Sequence, residues 1–495
     1  MATNAAVRTF RRVYANPAAP AQEEADRLAA YALLWSYYTN SAFDDLALWQ
    51  SYRARNRLYR QTRPIYNPAR RLVDFYAGTV YQGRWTSRPQ EMTQPNAAIP
   101  WATETPPALL DAIGQLYTWS NWASQKALML RYGAALGDVL VIVADDPARG
   151  KVYLDTIWPG NVAAVTLNPA GDVTAYTLEY AITDAATGQT YTYRREVDKD
   201  AIRTYRDDQP HAYDGQPAEA ENPYGFVPAT WTMHTPTGGS HGEPALRNIA
   251  KIDELNALAA HALDQAHRIL EAPILITGDN INAGGITPSR NGPTTSSASA
   301  GRSPDPGDIK AITAAAGGDI KTTRLDPGEA LEHIDHLLKE IEADHPEIGM
   351  YQQLRSMTQV SGPAADRLFG DVAALVTEAR AQYDRSIVKL FQMAVAIAGW
   401  RVQAGAWPAP TAQQAKFAGY NLDSYAAGDL DLDIQSRPLI MPTESELIAI
   451  ERQRIGLDAD RQYTAAGQPP TTGNTPAGIA DRLRRAAQEQ RELQG

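Results

Sequence analysis

The sequence contains no cysteine among its 495 residues, and this absence removes several kinds of chemistry together. A chain without Cys has no disulfide bonds, no thiolate zinc sites, no iron–sulfur clusters and no cysteine nucleophile. Basic residues are also in the minority: 46 Lys and Arg face 57 Asp and Glu, which gives a formal net charge of −11. Because nonspecific affinity for nucleic acid comes from Lys and Arg that neutralise phosphates, this balance argues against a protein that coats its surface with DNA. It is compatible with a protein that handles DNA without binding it tightly.

Long apolar runs are absent as well. The richest apolar stretch, residues 391–400, is shorter than the ~20 residues that a membrane-spanning helix needs. Residues 1–10 carry no apolar segment of the secretory type. We therefore expect no membrane partner and a protein made in a cytoplasm. The chain length predicts more than one domain, since a single core rarely exceeds ~250–300 residues.

The motif that comes nearest to a catalytic signature is Gly238-x-Ser240-x-Gly242. A hydrolase nucleophile elbow needs a tight turn between a strand and a helix. Here residues 235–237 separate the predicted strand from the motif, which favours a flexible loop. We expect no catalytic residues and no enzyme activity, and a helical-plus-β hydrolase remains the alternative.

Metal and nucleotide sites are not predicted either. His333 and His336 are three residues apart and have acidic neighbours, but HExxH is absent and the helix is acidic throughout, so a solvated polar face is favoured. No Walker A motif occurs. We expect no metal and no cofactor.

Hydrophobic periodicity predicts a helical protein with one β-rich part. Short apolar runs between residues 137 and 234, separated by Gly and Pro turns, predict an antiparallel β-meander. Two helices are predicted within 21–63, with a break at Asn40-Ser41, and single helices over 106–132, 244–270, 326–344 and 362–404. Asn67 is the predicted N-cap of a further helix that has Pro68 at its first position. Residues 278–308 are rich in Gly, Ser, Thr and Pro, and 311–325 predict two strands joined by a turn.

Two segments have opposite charge. Residues 51–90 contain nine Arg and one acid, Asp74, whereas residues 326–347 contain eight acids and one base, Lys339. Such runs are often solvated surfaces, and the alternative for the basic run is a surface for an acidic partner.

The order of these parts resembles tailed-bacteriophage or prophage portal proteins, the subunits of the head-to-tail connector ring. The resemblance rests on the start of the helix that follows the β-meander (239–256), on the segment that introduces the longest helix (360–364) and on the early segment 67–74. It implies the portal fold, which is mainly α with an α+β wing and has a stem, a clip and a crown. The implied wing covers 1–243 and 362–440, the stem helices 244–271 and 327–345, the clip 272–326, the tunnel loop 346–361 and the crown 441–495.

The resemblance also implies function and partners. A ring of about twelve subunits would form the channel for packaging and ejection of double-stranded DNA at one capsid vertex of the virion, after assembly in the host cytoplasm. The implied protein partners are the terminase large subunit, the head-completion adaptor, the major capsid protein and the scaffolding protein.

Three groups of residues are candidates for this role. The tunnel-loop candidates, which supply neutral donors and one cation for weak phosphate contact, are Gln352, Gln353, Arg355 and Gln359. The alternative is that these residues only cap the long helix. The acidic stem candidates, which would line the channel with repulsive charge, are Glu332, Asp335, Glu340 and Glu342. The basic candidates, which would face either the neighbouring subunit or packaged DNA, are Arg53, Arg57, Arg60, Arg70 and Arg71.

Overall fold

The computed structural model describes residues 20–43, 65–81, 95–184, 187–213, 216–270, 275–277, 312–314, 327–350, 370–405, 407, 411–428 and 430–437. The chain divides into two units, residues 1–356 with 371–437 and residues 357–370 with 438–495. Apart from Gly370, the described residues belong to the first unit. The predicted crown, most of the predicted clip and the first part of the predicted longest helix lie outside the described residues.

The first unit combines helices with antiparallel sheets, as the predicted α+β wing requires. Its helices are α1 (Pro20–Tyr38), α2 (Ala69–Thr79), α3 (Pro107–Ser120), α4 (Trp122–Leu136), α5 (Ile249–Leu270), α6 (Pro327–Asp344), α7 (Gly370–Gln403) and α8 (Leu422–Ala426). Single turns of 3-10 helix occupy Ser41–Phe43, Pro95–Ala97, Pro159–Asn161 and Gln414–Phe417. None of the helices in the described part of the chain is long and apolar enough to cross a membrane.

The helices before the sheets differ from the prediction at two points. The pattern over 106–132 predicts a single helix, but the structure has two, α3 and α4, because Asn121 adopts a left-handed conformation with φ 47°. Asn tolerates that region better than most residues do. Helix α2 begins one residue later than predicted, with Pro68 in the N-cap position, although Asn67 Oδ1 accepts a hydrogen bond from the Ala69 amide at 3.1 Å.

The β-rich part is antiparallel, as predicted, but it forms two main sheets. The first has the order β2 (Lys151–Ile157), β1 (Asp138–Asp146), β9 (Ala229–Met233). The second has the order β3 (Val162–Leu167), β4 (Val173–Thr183), β5 (Thr190–Asp198), β6 (Ala201–Arg206), β7 (Gln209–Pro210), with β8 (Glu219–Glu221) also paired to β6. Residue Leu140 on the central strand β1 pairs with Ile157 on one side and Trp231 on the other. One apolar cluster, which includes Leu140, Leu178 and Trp231, joins the two sheets.

After the sheets, the chain forms a small hairpin before the next helix. Strands β10 (Thr235–Pro236) and β11 (Gly242–Glu243) pair, and Asn248 then adopts a left-handed conformation with φ 55°. For this reason α5 begins at Ile249 and not at residue 244, where the periodic pattern predicts its start.

Helices α5 and α6 lie antiparallel and contact each other, and we call this pair the helical hairpin. Lys251 near the start of α5 contacts Asp344 at the end of α6. At their other ends, β12 (Leu275–Thr277) and β13 (Ile312–Ala314) pair in parallel. The prediction of two strands within 311–325 is confirmed for the first strand only, since 315–326 lie outside the described residues.

The longest described helix, α7, has 34 residues and passes through the core. Its buried residues repeat at helical spacing, and Tyr383, Ile387, Leu390, Phe391 and Ala394 are all 0% exposed. The rings of Trp101, Tyr117 and Trp122 pack edge-on against Phe391.

Candidate functional site

The helical hairpin carries the acidic stem candidates and two of the three large apolar side chains that are exposed among the described residues. At 1.5 Å per residue, the 22 residues of α5 and the 18 residues of α6 span ~33 Å and ~27 Å. The ends of the two helices that join the rest of the unit form what we call the base, residues 247–251 and 340–347. The opposite ends lead to the paired strands β12 and β13.

One cation holds the base together. Lys251 Nζ lies 2.7 Å from Asp344 Oδ2 and 3.3 Å from Glu340 Oε2. Asn248 Nδ2 donates to the same Asp344 oxygen at 2.7 Å. The hydrogen bond to Asp344 raises the pKa of Lys251, and the one to Glu340 acts in the same direction. The acidic charge at the base is therefore partly neutralised within the chain.

The four acidic stem candidates consequently fall into two pairs. Glu340 contacts Lys251 and also lies 3.2 Å from His336 Nδ1, and Glu342 is half-buried. Glu332 and Asp335, farther from the base, are exposed and form no ion pair with any residue that the structure describes. Glu332 and Asp335 thus place negative charge on α6, away from the base, that no described residue pairs with.

The same half of the hairpin exposes large apolar side chains. Leu331 is 58% exposed and Leu263 is 39% exposed. Within the described ranges, the one other large apolar residue that is exposed is Ile65. Leu263 lies twelve residues beyond Lys251, and Leu331 lies thirteen residues before Asp344. Both are therefore ~18–20 Å along the hairpin from the base, one on each helix.

The basic candidates are partly described. Arg70 and Arg71 are exposed on α2, and Arg70 lies 3.6 Å from Asp74 at i,i+4 spacing. Asp74 also lies 3.7 Å from Arg131 on α4, so these two helices share one acid between two cations. Arg53, Arg57 and Arg60 lie outside the described residues.

The tunnel-loop candidates Gln352, Gln353, Arg355 and Gln359 all lie outside the described residues. The segment that leads into them is described as far as residue 350, and residues 346–350 are helical. His345 separates this turn from α6.

The base of the hairpin meets the core through a buried polar cluster that the sequence pattern does not reveal. We call it the joint; its members are Tyr76, His234, Arg247, His345, Glu347 and Tyr383. His345, which is 2% exposed, has Nε2 3.1 Å from the Arg247 carbonyl oxygen. Burial lowers the pKa of the His345 imidazole.

The rest of the joint links the end of the hairpin to α2, β9 and α7. The Tyr76 hydroxyl donates to Glu347 Oε1 at 2.5 Å, and burial together with the Glu347 carboxylate raises the pKa of Tyr76. His234 Nδ1 lies 3.2 Å from the Tyr383 hydroxyl, and the Tyr76 ring stands edge-on to the His234 ring with centroids 4.4 Å apart. Burial, with a smaller contribution from Arg247, lowers the pKa of His234 to about 3. No short-range spacing of residues predicts this cluster, because its members come from five separate segments of the chain.

The Gly238–Gly242 motif lies in the loop of the β10–β11 hairpin. Ser240 is exposed, and its carbonyl oxygen accepts a hydrogen bond from Trp231 Nε1 at 3.0 Å. The following helix begins only at Ile249. This is not the strand-to-helix turn that a nucleophile elbow requires.

His333 and His336 lie on α6, where His336 contacts Glu340. Within the part of the chain that the structure describes, no group of three or more His, Asp and Glu side chains could hold a metal ion.

Comparison with known proteins yields little beyond this geometry. No protein-family model matches the chain, and no curated protein matches it. Among solved structures, the chain is similar to one from a structure described as "Virion of native gene transfer agent (GTA) particle", with 14% sequence identity and a TM-score of 0.33. That alignment covers 82% of this chain and 91% of the other. A similarity of this strength does not establish a shared fold, whereas the mixed helical and antiparallel architecture is a direct property of the structure.

Proposed function

We propose that this chain is a portal protein: the subunit of a ring of about twelve copies at one capsid vertex, through which double-stranded DNA enters and leaves the virion. The observation that carries the proposal is the helical hairpin. Two antiparallel helices enclose a long insertion, and their half beyond the base combines exposed apolar side chains with unpaired acids. In this assignment the hairpin is the stem, residues 272–326 are the clip, and the two-sheet part with α7 belongs to the wing.

The exposed leucines support assembly. A large apolar side chain on an otherwise charged helix is stabilised when another surface covers it. Leu263 and Leu331 occupy the same level of the hairpin, so one neighbouring subunit could contact both. A closed ring supplies such a neighbour to every copy.

The acids support passage of DNA. Exposed Glu332 and Asp335 repel phosphates, and a channel lined by them does not hold the duplex in one register. Of the cations on these helices, Lys251 is already paired with Glu340 and Asp344, and the exposed Lys339 is outnumbered by the acids of α6. A DNA-gripping surface would need the opposite arrangement.

The remaining candidates complete the proposal. Arg355 and Gln359, with Gln352 and Gln353, would touch passing phosphates from a tunnel loop. The exposed Arg70 and Arg71 would face the neighbouring subunit or packaged DNA. The clip would dock the terminase large subunit during packaging and the head-completion adaptor afterwards, and the wing would contact the major capsid and scaffolding proteins.

The first test is the particle mass of the purified full chain and of two single variants. We expect a mass of many times 54.0 kDa for the wild type. Leu331→Glu should shift most of the protein to smaller species, because it places a charge in the proposed interface. Ile65→Glu is the matched control, since it alters the exposed apolar residue that lies off the hairpin, and it should leave the ring intact. A wild type of one to four copies would instead favour the enzyme alternative.

The second test concerns DNA. Arg355→Ala combined with Gln359→Ala should reduce packaging or DNA retention while the ring still assembles. Normal packaging and retention in the double variant would remove these residues from the proposal.

Glu332→Lys combined with Asp335→Lys should slow translocation, because the new cations would bind phosphates.

A further inference from the structure

A cavity of about 330 Å³ lies where α7 faces the two sheets, and none of its lining residues belongs to the hairpin or the joint. Its wall on the α7 side comes from residues of one helical face, Gln382, Arg385, Ser386, Lys389 and Met393. The other walls come from the Asn168–Thr174 turn, the segment 225–233 and Lys199. The volume is within the range of ~300–1,000 Å³ that small-ligand sites occupy.

The lining has an excess of positive charge. Arg385 and Lys389 stand at i,i+4 spacing on α7, an arrangement that like charges make unfavourable by a few tenths of a kcal/mol. Asp172, the acid in this lining, contacts both: Lys389 binds its carboxylate directly, and Arg385 lies 3.7 Å from it. Lys199 is exposed at the same cavity and forms no ion pair with a described residue. The three cations and the one carboxylate of this lining sum to a charge of +2, and a bound anionic group would reduce it to +1.

A buried hydroxyl in the same lining also lacks a partner. Thr230 is 6% exposed, and its Oγ1 has no hydrogen-bond partner among the described residues. An unsatisfied buried hydroxyl costs about 1–3 kcal/mol.

The remaining wall is apolar and aromatic. Phe226 and Tyr425 pack with ring centroids 4.7 Å apart, and Met393 lies on the α7 side. Such a wall suits an apolar side chain next to the anionic group. A rigid DNA duplex, whose phosphates lie on the outside of a broad helix, cannot place a phosphate and an apolar group together in so small a volume.

We propose that this cavity binds an acidic peptide segment of a partner protein: an Asp or Glu carboxylate between Lys199, Arg385 and Lys389, with an adjacent apolar side chain against Phe226 and Tyr425. The proposal does not depend on the portal assignment. It requires only that the full chain be folded.

The test is calorimetric titration of the full chain with the peptide acetyl-Leu-Glu-Leu-amide and with its Gln counterpart. We expect the Glu peptide to bind at least about tenfold more tightly, because a charge-assisted hydrogen bond is lost in the Gln peptide. Lys199→Gln and Arg385→Gln should each weaken binding of the Glu peptide about tenfold. Lys151→Gln, which removes an exposed cation outside the cavity, is the matched control and should leave binding unchanged.

Two further titrations separate other ligands. Inorganic phosphate or a short DNA duplex that binds more tightly than the Glu peptide, with the same dependence on Lys199, would overturn the proposal in favour of a phosphate site. Equal binding of the Glu and Gln peptides, or of the wild type and both cation variants, would also overturn it. Thr230→Val, which removes the unpartnered hydroxyl with little change in shape, should keep the fold and weaken the Glu peptide by a smaller factor than the cation variants.

Discussion

The core around α7 and the half of the helical hairpin beyond the base differ in how their charged side chains are placed. In the core a charged side chain is buried and hydrogen-bonded, whereas on the hairpin two acids are exposed and not paired with any described residue. In the core, Arg380 is 7% exposed and donates to the carbonyl oxygens of Thr79, Val80 and Arg437 at 2.7–3.1 Å. On the hairpin, Glu332 and Asp335 are exposed and form no ion pair with a described residue. A buried charge is stable only when groups close to it in the fold form hydrogen bonds with it. Arg380 finds those groups within its own chain, so this part of the core needs no second chain. Exposed acids beside exposed leucines indicate a surface that is completed by something outside the chain.

The joint stands between these two regions and explains how they are connected. Apart from Arg247, its side chains are buried, as in the core, yet they hold the base of the hairpin. Substitutions in the core and the joint should therefore alter the free energy of unfolding, whereas substitutions on the half of the hairpin beyond the base should alter assembly of the ring.

Arg380→Met should reduce the free energy of unfolding by about 3 kcal/mol, because the carbonyl oxygens of Thr79 and Arg437 would lose their buried donor. The measurement is urea unfolding of the full chain. Arg149→Ala removes a side chain that is 78% exposed and should change stability by less than about 0.5 kcal/mol. Equal effects of the two substitutions would contradict the contrast between buried and exposed charge.

Gly133→Ala should cost about 2 kcal/mol, since a Cβ at that position would lie 2.1 Å from the Tyr383 hydroxyl oxygen in a part of the core where Tyr383 is 0% exposed. Combining it with Tyr383→Phe removes that oxygen and should recover part of the loss. The check is a double-mutant cycle of unfolding free energies. Strictly additive effects would show that the two residues do not compete for the same space.

His234 should make the joint sensitive to acid. Its folded pKa, about 3, is below its unfolded value of ~6.5, so the stability it contributes is fully present above pH ~6.5 and is lost as the pH falls toward 3. At about 1.4 kcal/mol per pH unit, about 2 kcal/mol is lost between pH ~6.5 and ~5. Unfolding of wild type and His234→Gln at about pH 7 and about pH 5 measures this, and the variant should lose less. Identical pH dependence in both proteins would exclude His234 as its source.

Lys251→Gln should have the smallest effect, a loss of less than about 1 kcal/mol, because the Lys251 side chain is 32% exposed and its contacts with Glu340 and Asp344 are partly solvated. The loss should shrink at high salt, which screens exposed ion pairs. Unfolding at low and high ionic strength provides the comparison. A loss as large as that of Arg380→Met would mean that the Lys251 contacts at the base contribute as much stability as the buried Arg380 contacts in the core.

Much of the fold could be predicted from local pattern. The strands of the β-meander and both hairpin helices follow from periodicity and turns, which act over a few residues. The pattern does not predict the break at Asn121 or the late start of α5, because each depends on one left-handed residue within an otherwise helical run. The division of the meander into two sheets depends on long-range pairing of β1 with β9, which no local signal encodes.

The candidate site could be predicted only in part. Charge counts locate the acidic helix, but they cannot show that Lys251 engages Glu340 while Glu332 stays exposed. The joint and the cationic cavity gather residues from distant segments, so composition and spacing do not reveal them. The tunnel-loop candidates and three of the five basic candidates remain predictions from the sequence.

The most direct test of the account is an electron microscopy reconstruction of the purified full chain. We predict a closed ring in which the helical hairpins surround a central channel, with Glu332 and Asp335 facing its lumen and Leu263 and Leu331 covered by neighbouring copies. A monomer or small open oligomer, or a ring whose hairpins point away from the channel, would contradict the portal assignment.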